Sequence, residues 1–199
     1  MIAVIDYGVG NLGSVKNALN SLGLEAKVTS KPEDILAADK IILPGVGAFS
    51  DAMSAFCRFG LDKTLKECIE RKKPILGICV GMQMLFEESC EHGLHRGLGI
   101  LPGRIIRFDD TKAKVPHIGW NQIHVLRETP LLAGVDREYA YFVHSYHLDD
   151  SEYTAAVTGY AGIDFPCVVC KDKIYATQFH PEKSGAVGLK ILKNFGDLK

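Results

Sequence analysis

The chain has 199 residues, 47% of them hydrophobic and 24% charged, with a formal net charge of −1. That length suits one domain able to bury a sizeable core without disulfide or metal staples. The balanced charge, with lysines and arginines scattered along the chain, excludes the basic footprint that nucleic-acid binding requires.

Residues 2–6 form a short apolar run ending at Tyr7 and Gly8, which predicts a buried strand followed by a loop. Asp6 interrupts that run early and no basic segment precedes it, so it does not read as a signal peptide. No apolar stretch approaches the roughly 20 residues that span a bilayer, so no membrane association is expected. The expectation is a cytoplasmic protein whose six cysteines are reduced thiols.

Leu12, Val15, Leu19 and Leu22 give helical spacing over residues 11–22, and Gly23 stands where a C-cap glycine belongs. A second strand is expected at 26–29. Pro32 followed by Glu33 and Asp34 marks a helix start over 32–37. Ile41, Ile42 and Leu43 predict a third buried strand, which runs into Pro44-Gly45-Val46-Gly47. Helices are expected at 50–59 and 61–72, with Ser50 as N-cap and Gly60 as the break. Arg71, Lys72 and Lys73 then sit at a helix C-terminus, where cations suit the macrodipole. A fourth buried strand covers 74–78, and a helix over 80–88 opens abruptly after it.

The second half reads differently. Strand-like runs at 105–108, 123–126, 141–144, 155–157, 168–171 and 174–178 have few helices between them, and a helix over 187–195 closes the chain. Alternating strands and helices with continuous apolar strands predict an α/β fold with a central, mostly parallel sheet covered on both faces. The later strands predict a smaller antiparallel extension. The expected organisation is a single domain over residues 1–199.

The segment Pro74-Ile-Leu-Gly-Ile-Cys-Val-Gly-Met-Gln83 carries the most chemistry. Cys79 lies between a buried strand and a helix in the pattern G-x-C-x-G, the cysteine counterpart of a nucleophile elbow. Gly77 and Gly81 keep side chains away from a strained turn. The thiolate is the nucleophile, and a free thiol with a pKa of about 8.5 is only slightly ionised at neutral pH. Helix N–H groups just after Cys79 would favour the anion, and the Val80 N–H points where an oxyanion would form.

A cysteine nucleophile needs a base, usually a histidine oriented by a third group. His180 follows an apolar strand in Gln178-Phe-His-Pro-Glu-Lys-Ser184. Pro181 forces a turn or extended geometry there. Glu182, two residues on, is close enough to fix the imidazole tautomer.

These segments resemble the class I (triad) glutamine amidotransferases. Leu43-Pro44-Gly45-Val46-Gly47 is similar to the oxyanion strand of that family, and the three elements occur in its order. The resemblance covers the whole chain. Residues 5–14, 44–49, 115–121 and 141–146 narrow it to the glutaminase subunits of imidazole glycerol phosphate synthases, which serve histidine biosynthesis. Val80 stands where leucine is more usual.

The resemblance implies that Cys79 attacks the side-chain amide of glutamine, that His180 shuttles protons and that Glu182 orients it. It implies oxyanion donors in Val80 and in Gly45, Val46 and Gly47, and a glutamine pocket formed by Gln83, Ser145 and Tyr146. The implied partner is a (β/α)8 cyclase subunit in a heterodimer, with Asn11, Tyr141 and Lys183 as candidate contacts. No cofactor or metal is implied. The family's glutaminase is nearly idle until the cyclase binds with its nucleotide ligand, and a peptide of the Pro-Gly-Val-Gly segment is implied to reorient then. Glycine permits such rotation.

Other motifs point elsewhere more weakly. Cys167 and Cys170, with His144 and His147, have metal-like spacing. Yet residues three apart on a strand face opposite ways. Gly8, Gly10 and Gly13 match G-x-G-x-x-G, a weak dinucleotide signal by itself, and Glu33 and Asp34 lie past the second strand. A related glutaminase feeding another synthase, such as one modifying surface sugars, and a scaffold that has lost activity both remain as alternatives.

Overall fold

The structure is a computed structural model that describes residues 1–198. Its first half runs β1 (Ile2–Ile5), α1 (Leu12–Ser21), β2 (Ala26–Thr29), α2 (Pro32–Ala37), β3 (Lys40–Leu43), α3 (Phe49–Arg58), α4 (Leu61–Glu70), β4 (Ile75–Ile78) and α5 (Val80–Gln83). The second half runs β5 (Glu88–Ser89), β6 (His95–Arg96), β7 (Arg104–Arg107), β8 (His117–Gln122), β9 (His124–Val125), β10 (Tyr139–His144), β11 (Tyr146–Leu148), β12 (Thr154–Tyr160), β13 (Ile163–Lys171), β14 (Ile174–Thr177) and α6 (Gly185–Asp197).

Eight strands form the main sheet in the order β2-β1-β3-β4-β14-β13-β12-β9. The pairings from β2 through to β14 are parallel, and those from β14 out to β9 are antiparallel. Two small sheets flank it: the β10-β8 ribbon, and β11-β7-β5-β6. β1 and β4 are buried at every position. Each such Ile, Val or Leu contributes about 1.5–3 kcal/mol of apolar burial. Helix α1 packs with α6, while α2, α3, α4 and α5 form a second group. Among the described residues no helix is long and apolar enough to cross a membrane.

Local signals set several boundaries. Helix α1 ends in a Schellman arrangement: Gly23 adopts φ +70°, Leu24 N–H donates to Leu19 O at 3.0 Å and Gly23 N–H to Asn20 O at 3.0 Å. Pro32 is the first residue of α2, with Glu33 and Asp34 in its first turn. Gly60 takes φ +69° between α3 and α4.

Three expectations are corrected. Ser50 is not the cap of α3, which begins at Phe49; the Phe49 N–H is met instead by the Glu91 carboxylate at 2.6 Å. The helix expected over 80–88 stops at Gln83. Backbone N–H groups of Leu98, Gly99, Ile100 and Leu101 take the carbonyls of Met84, Phe86 and Leu85, which would otherwise continue it. The strand expected at 123–126 shrinks to β9, and β8 precedes it unforeseen.

Candidate active site

Strand β4 delivers the chain to Cys79, whose backbone adopts φ +55° and ψ −112°. A non-glycine residue held there costs on the order of 1–3 kcal/mol, so the surroundings must impose it. Cys79 N–H donates to Thr177 O at 2.8 Å, and Cys79 O accepts from Gln83 N–H at 3.1 Å. The flanking glycines are steric requirements. A Cβ on Gly77 would lie 2.9 Å from Gly81 O, and one on Gly81 would lie 2.0 Å from Leu43 O. Because α5 is a single turn, it offers Cys79 the few N–H groups of a helix start rather than a long dipole.

His180 and Glu182 lie side by side, with His180 Nδ1 2.9 Å from Glu182 Oε1 and side chains 3% and 1% exposed. The carboxylate accepts from Nδ1, which leaves Nε2 for the thiol. Burial pulls the His180 pKa down, but hydrogen bonding to Cys79 and Glu182, reinforced by their charges, carries it up to about 10. Glu182 Oε2 is buried with no hydrogen-bond partner among the described residues, so the carboxylate's bonding is directed at the imidazole alone. The His180 backbone is pinned as well. Its N–H donates to Tyr141 O at 3.2 Å, and its carbonyl accepts from Lys183 N–H at 3.0 Å and Ser184 Oγ at 2.7 Å.

The segment after β3 meets this turn backbone to backbone. Gly45 is buried, and a Cβ there would come 2.4 Å from Gly81 N. Gly47 is exposed, with φ +84° and open space around its α-carbon. Tyr7 Oη donates to Pro44 O at 2.7 Å. Burial, and secondarily the nearby Cys79, pushes the Tyr7 phenol well above its usual range and keeps it a donor. With Glu91 holding Phe49 N–H at the other end, this segment is anchored at both ends and free in the middle.

A cleft of about 300 Å³ opens over Cys79 and His180, lined by Val46, Gly47 and Val80 on one side and Ser145 and Tyr146 on the other. Gln83 and Glu91 close it, and Lys183 stands at its edge. A larger groove of about 660 Å³ between Val125 and Asp136 contains none of these groups. Gln83 Nε2 donates to Tyr146 O at 3.0 Å and to Gln178 Oε1 at 3.0 Å. Both amide protons are thus committed inward, and Gln83 Oε1 is left as an acceptor for the cleft. Tyr141 lies on the β10-β8 ribbon beside Trp120, their ring centroids 6.0 Å apart. Asn11 is half-buried at the start of α1 and is not part of the cleft lining. Cys167 and Cys170 both stay within β13, and burial pushes the Cys170 thiol up to about 11.

Three contributors escaped the sequence reading. Gln178 Nε2 reaches Cys79 Sγ at 3.8 Å while its oxygen fixes Gln83. Tyr7 and Glu91 anchor the glycine segment. A polar Gln178 following the apolar strand at 174–177 was the visible hint for the first; the other two depend on long-range contacts.

Comparison with known proteins agrees with this geometry. The family model "Glutamine amidotransferase class-I" matches residues 3–197. Imidazole glycerol phosphate synthase subunit HisH of Listeria monocytogenes serotype 4b is 48% identical over 200 residues, covering 100% of this chain and 96% of that protein. The subunit of the same name from Geobacter sulfurreducens is 48% identical over 206 residues, covering 100% and 99%. A crystal structure of a glutamine amidotransferase superposes with a TM-score of 0.77 at 21% identity, covering 98% of this chain and 100% of that one. The structure of PurLQS from Thermotoga maritima superposes with a TM-score of 0.77 at 19% identity, covering 98% and 96%. At those identities the two structures speak for the fold, while the family match and the full-length relatives show that the chain belongs to the class I glutamine amidotransferases.

Proposed function

We propose that the chain hydrolyses glutamine to glutamate and ammonia through Cys79, His180 and Glu182, as the glutaminase subunit of an imidazole glycerol phosphate synthase in histidine biosynthesis. The observation that carries the chemistry is the Cys79 turn at φ +55°, facing a histidine whose Nδ1 is bonded to a buried carboxylate. Names of full-length relatives 48% identical support the pathway.

The Cys79 thiolate attacks the amide carbon of glutamine, and the carbonyl oxygen gains the charge. The Val80 N–H, with a peptide N–H of the Gly45–Gly47 segment, stabilises it; one such donor is worth about 10²–10³ in rate. His180 Nε2–H gives its proton to the departing nitrogen, and ammonia leaves a glutamyl thioester. His180 then takes a proton from water, which attacks the thioester and releases glutamate and Cys79. Glu182 holds the ring throughout. Gln83 Oε1 and the Ser145–Tyr146 backbone hold the substrate.

The ammonia passes to a (β/α)8 cyclase subunit. The outer face of the β10-β8 ribbon suits its docking: Ile118, Trp120 and Tyr139 are 58%, 54% and 52% exposed. Trp120 pairs with Tyr141 and Ile118 with Val143 across the ribbon. A contiguous apolar face of this kind marks an interaction surface, and Lys183 lies at the adjoining cleft edge.

Glutamate release is measured for the purified chain alone, then with the cyclase subunit and its nucleotide ligand. Strong stimulation that disappears in Cys79→Ala supports both chemistry and partner. High activity without the cyclase removes the gating by the Gly45–Gly47 segment. Activity that responds only to another synthase moves the chain to a related pathway.

A further inference from the structure

From His144, which lines the cleft, hydrogen bonds run in series between two backbone carbonyls. His144 Nδ1 lies 2.8 Å from Tyr146 O, and His144 Nε2 lies 3.1 Å from His117 Nδ1. His117 Nε2 lies 2.8 Å from Asn121 Oδ1, and Asn121 Nδ2 donates to Gly159 O at 2.8 Å. A carbonyl only accepts. The Tyr146 end therefore requires a proton on His144 Nδ1. The Gly159 end turns the Asn121 amide so that its oxygen faces His117, and that oxygen requires a proton on His117 Nε2. The bond between the rings requires one proton more. Two neutral imidazoles supply one proton each, so the series closes only when the pair carries a positive charge.

The charge belongs on His117. Burial drives the His144 pKa down to about 3, so His144 stays neutral. Burial also holds His117 below the ordinary histidine value, outweighing its bond to Asn121, so it is the hydrogen-bond series and the ring stacking that place the charge there. His117 alone lies between two ring faces: Tyr160 at 3.9 Å between centroids and 19°, and Phe142 at 5.2 Å and 20°. Stacked aromatic faces favour a cation between them.

We propose that His117, as an imidazolium, is a positioning residue for the glutamine pocket. With both ring protons present the series is closed, and Tyr146 O is gripped by His144 and by Gln83 Nε2, the latter at 3.0 Å. When His117 loses a proton, one link becomes two facing lone pairs and the Ser145–Tyr146 backbone loses part of its backing. This role rests on the glutaminase reading of the cleft; the protonation of His117 does not.

The groups that set this equilibrium come from several elements. His147 from β11 stacks on Phe108 and bonds Leu148 O at 2.8 Å, and Asp149 lies beside it. His180 repels a charge on His144. Tyr160 from β12 covers His117 and donates to Lys114 O at 2.6 Å. Asp164 from β13 pairs with Gly159 at the Asn121 end. Phe165, also from β13, and Phe108, just after β7, present only carbon.

The test uses the chain labelled with nitrogen-15 histidine, bound to the cyclase, over about pH 4 to 8, a range that reaches below the usual histidine pKa because burial lowers His117. His117 is assigned by the resonance lost in His117→Gln. Both His117 ring nitrogens should be protonated on the acid side, and His144 should carry one proton throughout. As His117 deprotonates, KM for glutamine should rise roughly tenfold, with a smaller change in kcat, as expected for losing a charge-assisted hydrogen bond. Asn121→Asp, an anionic acceptor, should move both transitions to higher pH together, and Asn121→Leu should move both lower. A single ring proton on His117 throughout overturns the proposal. So does a His117 transition with flat KM, or one that neither Asn121 variant moves. No glutamate release in any condition overturns the glutamine role along with the reading beneath it, and the spectra separate that failure from a neutral His117.

Discussion

His180 N–H donates to Tyr141 O at 3.2 Å, so the candidate base hangs from the strand whose outer face is the proposed docking ribbon. Ser184 closes the link: its Oγ accepts from Tyr141 N–H at 3.0 Å and donates to His180 O at 2.7 Å. Ser184→Ala strands the Tyr141 N–H and takes from His180 O one of its two donors, Lys183 N–H remaining, which costs about 1–3 kcal/mol. The expected outcome is a lower unfolding midpoint and weaker stimulation of glutamate release by the cyclase, with cyclase affinity little changed. Titration calorimetry and denaturant unfolding read the two effects separately; wild-type stimulation in this variant removes the link.

Cys79, the proposed nucleophile, stores backbone strain at its turn. Its φ of +55° suits glycine, so Cys79→Gly should be more stable than Cys79→Ala by about 1–2 kcal/mol. Both variants lose glutamine hydrolysis. Denaturant unfolding of the pair isolates the backbone term because neither keeps a thiol. Equal stability would mean the strain is absent.

The glycines of the proposed oxyanion segment carry different constraints. Gly45→Ala puts a Cβ 2.4 Å from Gly81 N, a backbone atom that cannot give way cheaply. Gly47→Ala meets no atom within 4 Å and is penalised only through φ +84°. Gly45→Ala should therefore abolish activity and lower stability by more than about 3 kcal/mol, within the range of severe core overpacking. Gly47→Ala should cost about 1 kcal/mol, the scale of an alanine in left-handed backbone, and should slow the stimulated reaction by restricting peptide rotation. Unfolding midpoints and cyclase-stimulated rates order the two variants.

The first half was legible because its strands are continuous apolar runs, as in Ile41, Ile42 and Leu43, and its helix ends carry glycines such as Gly23 and Gly60. The Cys79 turn was legible for the same local reason: Gly77 and Gly81 announce it. Strand β8 was hidden by an inverted pattern. His117 is buried while Ile118 and Trp120 face outward, the reverse of the alternation that marks a half-buried strand. The early end of α5 depends on residues 97–101 competing for its carbonyls. Tyr7 with Pro44, and Gln178 with Cys79, lie 37 and 99 residues apart in sequence, so no local window could pair them.

The contacts of His180 with Cys79 and then Glu182 give stability a defined pH dependence. His180 has a folded pKa of about 10 against an ordinary value of 6.5, so between those limits this imidazole keeps in the folded chain a proton that it loses in the unfolded one. Unfolding free energy then declines as pH rises through that window. The stabilisation is complete below about 6.5 and gone above about 10. Glu182→Gln keeps a hydrogen-bond acceptor for Nδ1 but removes the charge. It lowers the folded pKa of His180, narrows the window and flattens the decline. Denaturant midpoints measured across this range for both proteins check the slope. The variant should also lose glutaminase rate by about 10²–10⁴, the usual contribution of a positioned acid–base group, because the imidazolium formed in the reaction no longer pairs with a carboxylate. An unchanged slope alongside lost activity would assign Glu182 to orientation alone; a flattened slope ties the same carboxylate to both folding and proton transfer.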